Sequence, residues 1–277
     1  MSAPLSSRYR TAFVTGASTG LGRAFAEMLL DEGVAVWGTS RDVARLAHFS
    51  SRKTAARFTP VALELRDAAP AEAAFRAAEH AAGGFDVVVN NAGFGQFAEF
   101  TAADFSLWRE QIEVMLVQPA RLAHLALPGM RARKRGALVN ISSLAAEFPL
   151  PFQSAYNLTK SGLSALSESL MIELAGTGVV VIDFRPGDYR TDFEGSVRRP
   201  AGDATLRMTR AWQAFAAMMR TGPEPAHAAA ALRRALRRGR SGTVRTGRFF
   251  QAVLGPFLAR FGSQNLNRRV QARYFDV

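Results

Sequence analysis

The sequence predicts an α/β fold built on a parallel sheet, and three observations carry that prediction. Six short apolar runs recur along the chain: 11–15 TAFVT, 34–40 VAVWGTS, 58–65 FTPVALEL, 85–90 FDVVVN, 136–142 GALVNIS and 179–184 VVVIDF. They are nearly continuous rather than alternating, the pattern of strands covered on both faces. Helix-periodic stretches lie between them, and such alternation means crossover units and parallel pairing. The first run also leads straight into a glycine-rich turn and then a helix, the context in which such a turn can hold a phosphate. No repeat or linker interrupts the pattern, so residues 1–277 read as a single domain.

Bulk properties narrow the function. With 277 residues, 48% of them hydrophobic, and a mean hydropathy of −0.01, the chain suits a soluble protein with a large core. No apolar run approaches the ~18 residues of a membrane span. The N-terminus passes almost at once into a strand, which leaves no signal peptide, and a cytoplasmic location follows by default. The lack of cysteine excludes disulfides and thiol chemistry. His48, His80, His124 and His227 are scattered without metal-ligand spacing, so no metal is expected.

Taken in order, the first strand is followed by Gly16-Ala17-Ser18-Thr19-Gly20-Leu21-Gly22 and a helix pattern ending at Gly33. Small residues there let backbone N–H groups approach a pyrophosphate at the positive end of the helix. The second strand ends at Ser40-Arg41. An acidic residue at this position binds the ribose 2′-hydroxyl of NAD, whereas an arginine accommodates the 2′-phosphate of NADP. Arg41 therefore points to NADP(H), or else is a solvated residue opening the helix pattern DVARLAHF. The third strand leads to Arg66-Asp67 and an alanine-rich helix over 71–82, and the fourth into Asn90-Asn91-Ala92-Gly93. A long helical region spans roughly 103–130, with Pro119 and Pro128 inside it or near its end. The fifth strand ends at Ser143, and the sixth runs into Arg185-Pro186-Gly187.

Tyr156 and Lys160 open the helix after the fifth strand, four residues apart and so on one face. A free tyrosine, with a pKa of about 10, is a poor acid or base near neutrality. A lysine one turn away favours the phenolate, and a tyrosine tuned in this way can exchange a proton with an oxygen. The Ser143 hydroxyl could hold the same oxygen. The plain alternative is an amphipathic helix with a tyrosine at its rim.

Together these segments resemble the short-chain dehydrogenase/reductase family. TGASTGLG (15–22), NNAG (90–93), NISS (140–143), YNLTK (156–160) and RPGDYRT (185–191) occur in the family's order and spacing, over about residues 10–192. The resemblance implies a Rossmann-like, doubly wound parallel sheet of about seven strands with helices on both faces, a nicotinamide cofactor, and a homodimer or homotetramer. It makes Tyr156 the general acid/base, Lys160 the partner of the nicotinamide ribose that lowers the Tyr156 pKa, and Ser143, rather than Ser142, the residue that orients the substrate oxygen. Gly16, Ser18, Thr19, Leu21 and Gly22 would surround the pyrophosphate and adenosine ribose. Glu64 and Leu65 would edge the adenine, Asn91 and Gly93 would lie along the cofactor, and Pro186, Gly187 and Thr191 would cradle the carboxamide side. Two residues depart from the pattern. Glu64 stands where aspartate is usual. Met115 stands where an asparagine normally holds a helix bulge and a water in the proton relay, so an altered relay is expected. Gln111 and Gln118 are its polar neighbours.

The implied activity is hydride transfer between NADP(H) and a carbonyl or secondary alcohol; the alternative is an NADP-binding regulator or scaffold with little turnover. The core covers 8–191, a substrate lid 192–222 and a basic extension 223–277. In the lid, Met208, Trp212, Phe215, Met218 and Met219 recur at near-helical spacing, as an apolar pocket lining or as ordinary core. From Arg198 onward there are sixteen arginines and three acidic residues, a net of +13 in a chain whose total is +12. With the apolar clusters of the tail, this fits an apolar or thioester-linked substrate, a membrane-surface segment, or a core or oligomer element. No motif or aromatic interleaving supports nucleic-acid binding.

Overall fold

The computed structural model describes residues 3–199, 205–259 and 261–277. Seven parallel strands form one sheet in the order β3-β2-β1-β4-β5-β6-β7. They are β1 Thr11–Val14, β2 Ala35–Ser40, β3 Phe58–Ala62, β4 Val87–Asn90, β5 Gly136–Ile141, β6 Val179–Pro186 and β7 Gly242–Thr246. Strand order reverses between β1 and β4, and doubly wound sheets open a ligand crevice at that point. The helices are α1 Gly20–Asp31, α2 Ala68–Ala82, α3 Phe105–Ile112, α4 Gln118–Ala132, α5 Ser154–Glu173, the short α6 Phe193–Ser196, α7 Leu206–Arg220, α8 Pro225–Arg238, α9 Gly255–Ala259 and α10 Gln264–Tyr274. The fold is the expected Rossmann-like α/β sheet with helices on both faces.

The period-2 geometry of the strands divides the core. Ala12, Val14, Val87, Val89, Val139, Ile182 and Phe184 face α1 and α8. Phe13, Val88, Leu138, Val179 and Val181, between them in sequence, face α2, α4 and α5. On this second face the C-terminal ends turn polar. Asn90 Nδ2 donates to Asn140 Oδ1 (2.9 Å), Asn140 Nδ2 to Ser167 Oγ (2.9 Å), and Asp183 is fully buried. Buried polar groups persist only when hydrogen-bonded, and here they lock α5 in register on the sheet.

Several boundaries differ from the expectation. The stretch DVARLAHF forms a 3₁₀ turn over Val43–Phe49 rather than an α-helix. The long helix of 103–130 is divided: α3 and α4 are joined by a π-helical turn, Glu113–Val117. Pro119 explains the break, because it has no N–H to return to the carbonyl of Met115 four residues earlier. The Gln118 side chain clamps the turn by donating to Glu113 Oε1 (2.8 Å). The seventh strand, β7, is an edge strand of sequence GTVRT with little apolar character.

Candidate active site

A cavity of about 1100 Å³ opens at the C-terminal ends of the strands. Its wall includes Gly16, Ser18, Thr19, Leu21 and Gly22 from the first turn, Ser40 and Arg41 after β2, Glu64 and Leu65 after β3, and Asn91 and Gly93 after β4. It also includes Ser143, Tyr156, Lys160, Pro186, Gly187 and Thr191. Single-ligand pockets run to ~300–1,000 Å³, so the cavity is at the upper end of that range and large enough for a dinucleotide.

At one end the backbone approaches closely. Gly16 has φ +68°, and a Cβ on Gly22 would lie 2.1 Å from the Gly16 carbonyl oxygen, so only glycine fits. Thr19 caps α1 in extended conformation without a side-chain hydrogen bond, which leaves the first-turn N–H groups of the helix for an anion. Asn91 ties β4 to β1: its N–H donates to Thr15 Oγ1 (2.8 Å) and its amide to the Thr15 carbonyl (2.9 Å). Beyond the turn, Arg41 and Arg45 line the cavity with exposed guanidinium groups, and among the described residues neither makes an ion pair. Arg66, by contrast, is held by Glu110 (2.5 Å) and Glu64 (3.5 Å). The donor set therefore fits a dinucleotide with an extra phosphate at its adenosine end.

At the other end Ser143, Tyr156 and Lys160 converge. Ser143 caps a short turn by accepting from Ala145 N–H (3.0 Å) and donates to the Pro186 carbonyl (3.5 Å), and its hydroxyl favours the Tyr156 phenolate. Ser142 points away and donates to Asp183. Lys160 is buried, and its ammonium donates to the Ile141 carbonyl at 2.7 Å. Burial pushes Lys160 down to about 8, opposed by the nearby Asp183 carboxylate. Tyr156 departs from the expectation that Lys160 lowers its pKa. Burial of the phenol pushes it up to about 12; the Ser143 hydrogen bond opposes this, and the Asp188 charge adds to it. The Lys160 Nζ stands 5.6 Å from the tyrosine ring centroid, with its bond spent on Ile141.

Met115 lies on the π-turn against this site. Its sulfur accepts from Phe94 N–H (3.4 Å), and its methyl would meet a Cβ on Gly93 at 2.9 Å. Gln111 donates to the Phe94 carbonyl (2.7 Å) from a fully buried position. The bulge is thus kept with a thioether at its centre.

Sequence reasoning missed several lining residues. Arg45 falls one helical turn after Arg41, a spacing signal that was available. Asp188 falls inside RPGDYRT but had no role assigned to it, and Gln251 carried no motif. Gln251 Nε2 donates to Asp188 and to the Tyr274 hydroxyl (3.1 Å), and burial raises the Asp188 carboxyl above the ordinary range. The lid stripe serves both readings. Phe215 and Met219 line the cavity, whereas Met208 and Trp212 pack on the cluster around Phe97, the Trp212 ring edge-on to Phe97 at 5.2 Å. Lid residues 200–204 lie outside the described residues. The tail adds Phe250, Leu258, Phe261, Leu266, Val270 and Tyr274 to the wall.

Comparison with known proteins gives the same frame. The sequence profile of the family described as short chain dehydrogenase matches residues 10–202. An uncharacterized oxidoreductase of Myxococcus xanthus is 38% identical over 194 residues, 69% of this chain and 77% of that one. A short-chain dehydrogenase from Streptomyces avermitilis superposes with a TM-score of 0.82 at 29% identity, covering 94% of this chain and 96% of the other. A metagenomic short-chain oxidoreductase in complex with NADP gives a TM-score of 0.63 at 29% identity, over 82% of this chain and 90% of that one. Motif order, strand order and matched span agree: the chain belongs to the short chain dehydrogenase family of oxidoreductases.

Proposed function

We propose that the protein is an NADP(H)-dependent carbonyl reductase or alcohol dehydrogenase. The observation that carries the reading is the convergence of Ser143, Tyr156 and Lys160 on one wall of a cavity whose far end presents Arg41 and Arg45. The first turn of α1, with Gly16, Ser18, Thr19, Leu21 and Gly22, holds the pyrophosphate. Arg41 and Arg45 take the 2′-phosphate, Leu65 and Glu64 border the adenine, and Asn91, Gly93, Pro186, Gly187 and Thr191 line the nicotinamide half. Lys160 holds the nicotinamide ribose. The NADP-bound metagenomic relative supports this choice of cofactor.

The bound nicotinamide supplies or accepts the hydride. The protein's own part is the proton. In reduction, Tyr156 gives its phenolic proton to the developing alkoxide while Ser143 donates a hydrogen bond to the same oxygen. A phenol with a pKa near 12 is a fit donor to an alkoxide, and the Ser143 hydroxyl is the group that favours the phenolate left behind. In oxidation the phenolate must form first, so that direction needs high pH or added positive charge. The proton relay is altered, since Met115 has no donor in its side chain. Its carbonyl, released by Pro119, offers the acceptor in place of the usual amide. An apolar substrate suits Phe215, Met219 and the tail residues around the second half of the cavity.

The test is NADPH consumption, beside NADH, against ketones, aldehydes and 3-oxoacyl thioesters. Turnover with NADPH that collapses in Tyr156→Phe supports the enzyme; tight NADPH binding with no turnover on any carbonyl would favour the regulator reading.

A further inference from the structure

The cavity mouth is apolar on its outside as well as its inside. Of seventeen exposed large hydrophobic side chains among the described residues, ten fall within 249–274, so the exposure is concentrated in one patch. The helix preceding and including α9 carries two apolar stripes. Phe250 and Leu258 line the cavity. Phe249, Val253 and Phe257, at i, i+4 and i+8, are turned to solvent and are 72%, 52% and 55% exposed. Phe261 packs edge-on against Phe257 (centroids 5.3 Å apart) and joins the rim, to which α10 adds Leu266, Val270 and Tyr274. Soluble monomers rarely leave so much contiguous apolar surface bare.

Charge indicates what covers it. Between Pro225 and Phe275 there are eleven arginines and no aspartate or glutamate. Arg268, Arg269 and Arg273 stand exposed on α10, the helix that carries Leu266, Val270 and Tyr274, and pair with no carboxylate among the described residues. A second copy of the chain would bring the same arginines against this patch, and such like-charge contact is unfavourable. An anionic lipid surface satisfies both features, with apolar side chains in the acyl boundary and guanidinium groups among the headgroups. Among the described residues no helix is long and apolar enough to cross a membrane, so the fit is to a surface.

We propose that residues 249–274 dock the protein on an anionic bilayer with the cavity mouth inside the footprint. The docking stands on the surface alone. The consequence that an apolar substrate reaches Tyr156 from the lipid rests on the function proposed above.

The experiment is co-sedimentation of the full chain with vesicles of phosphatidylcholine plus phosphatidylglycerol, and with phosphatidylcholine alone, at low and high salt. Binding is expected to the anionic vesicles, weakening with salt. The pair Phe249→Glu/Phe257→Glu should weaken it about tenfold or more, and the triple Arg268→Gln/Arg269→Gln/Arg273→Gln should remove its salt dependence. Both variants should keep wild-type NADPH turnover of a water-soluble ketone without vesicles, which shows that they fold. Absence of turnover in the wild type would count against the enzyme and leave docking standing. The docking proposal is overturned if wild-type protein binds neither vesicle, or if the phenylalanine variant binds as well as wild type. It is equally overturned if light scattering finds a dimer that this variant splits while lipid binding is absent.

Discussion

The cavity has two halves built on different principles. Its floor, from residues within 10–191, is held by backbone geometry and buried polar pairs: the Gly16–Gly22 contact, the Thr15–Asn91 hydrogen bonds and the ladder from Asn90 to Ser167. Its outer wall, from residues within 205–277, includes a sleeve of Phe, Leu, Met and Val side chains in an arginine-rich stretch of the chain. The family match ends at residue 202, close to this boundary. Directional polar contacts fix atoms to fractions of an ångström, as proton transfer requires. Apolar contacts are non-directional, so the wall can vary without disturbing the chemistry. Under the proposed function, the contrast assigns reaction type to the floor and substrate choice to the wall.

The sharpest way to break this division is to remove the acid proposed for the floor. Tyr156→Phe should cut NADPH-dependent turnover about 10²–10⁴-fold while cofactor affinity, measured by fluorescence titration, stays near wild type. Lys160→Met should also abolish most turnover, but with an opposite effect on stability. Lys160 has a folded pKa of about 8, below its ordinary 10.5. Below pH 8 the buried ammonium therefore costs folding free energy, about 3 kcal/mol for a shift of this size. The cost falls away as pH rises from about 8 towards 10.5, because there the unfolded chain binds more protons than the folded one. Thermal melts should show wild type gaining stability across that window. Lys160→Met should melt higher at pH 7 and lose the gain.

Legibility in the sequence followed the same boundary. TAFVT, FDVVVN and VVVIDF were readable as strands because both faces of the central sheet are buried, and Gly16, Tyr156 and Lys160 because motif spacing sets their geometry. That Arg41 lines the cavity was readable from its place after β2. Strand β7 was not located, because an edge strand needs little apolar character and GTVRT has only one large apolar residue. The raised pKa of Tyr156 was also out of reach: burial and the charge of Asp188, 32 residues away in sequence, set it against the Ser143 hydroxyl. Nor could periodicity show that Phe250 and Leu258 line the cavity while Phe249 and Phe257 face solvent, since both stripes are equally apolar.

Cofactor choice sharpens the comparison within the floor. Arg41→Ala/Arg45→Ala should weaken NADPH about tenfold or more, the worth of one or two charge-assisted hydrogen bonds. NADH should be nearly unaffected, so the ratio of the two kcat/KM values is the readout. An equal loss for both cofactors would mean that these arginines shape the pocket rather than read the phosphate.

Asp188 sits where floor meets wall, bonded through Gln251 to Tyr274. Its carboxylate disfavours the Tyr156 phenolate, so Asp188→Asn removes a negative charge and lowers the tyrosine pKa. The pH–rate profile for alcohol oxidation should shift to lower pH, with the plateau rate little changed.

The smallest effect is expected from Met115→Asn. If the Met115 side chain were a defect in the relay, restoring the amide would raise kcat strongly. The π-turn, however, is held by Pro119 and by the Gln118–Glu113 hydrogen bond, and neither depends on residue 115. A carbonyl released by Pro119 is present with either side chain. The substitution does remove the sulfur that accepts from Phe94 N–H and the methyl packed over Gly93, at a cost in stability of about 1–3 kcal/mol, the range for opening a small buried gap. The expected outcome is therefore a lower melting temperature with kcat changed by less than about tenfold, a barrier change of under ~1.4 kcal/mol. A larger rise in kcat would show that the proton path runs through the residue-115 side chain and that the floor is not independent of its packing.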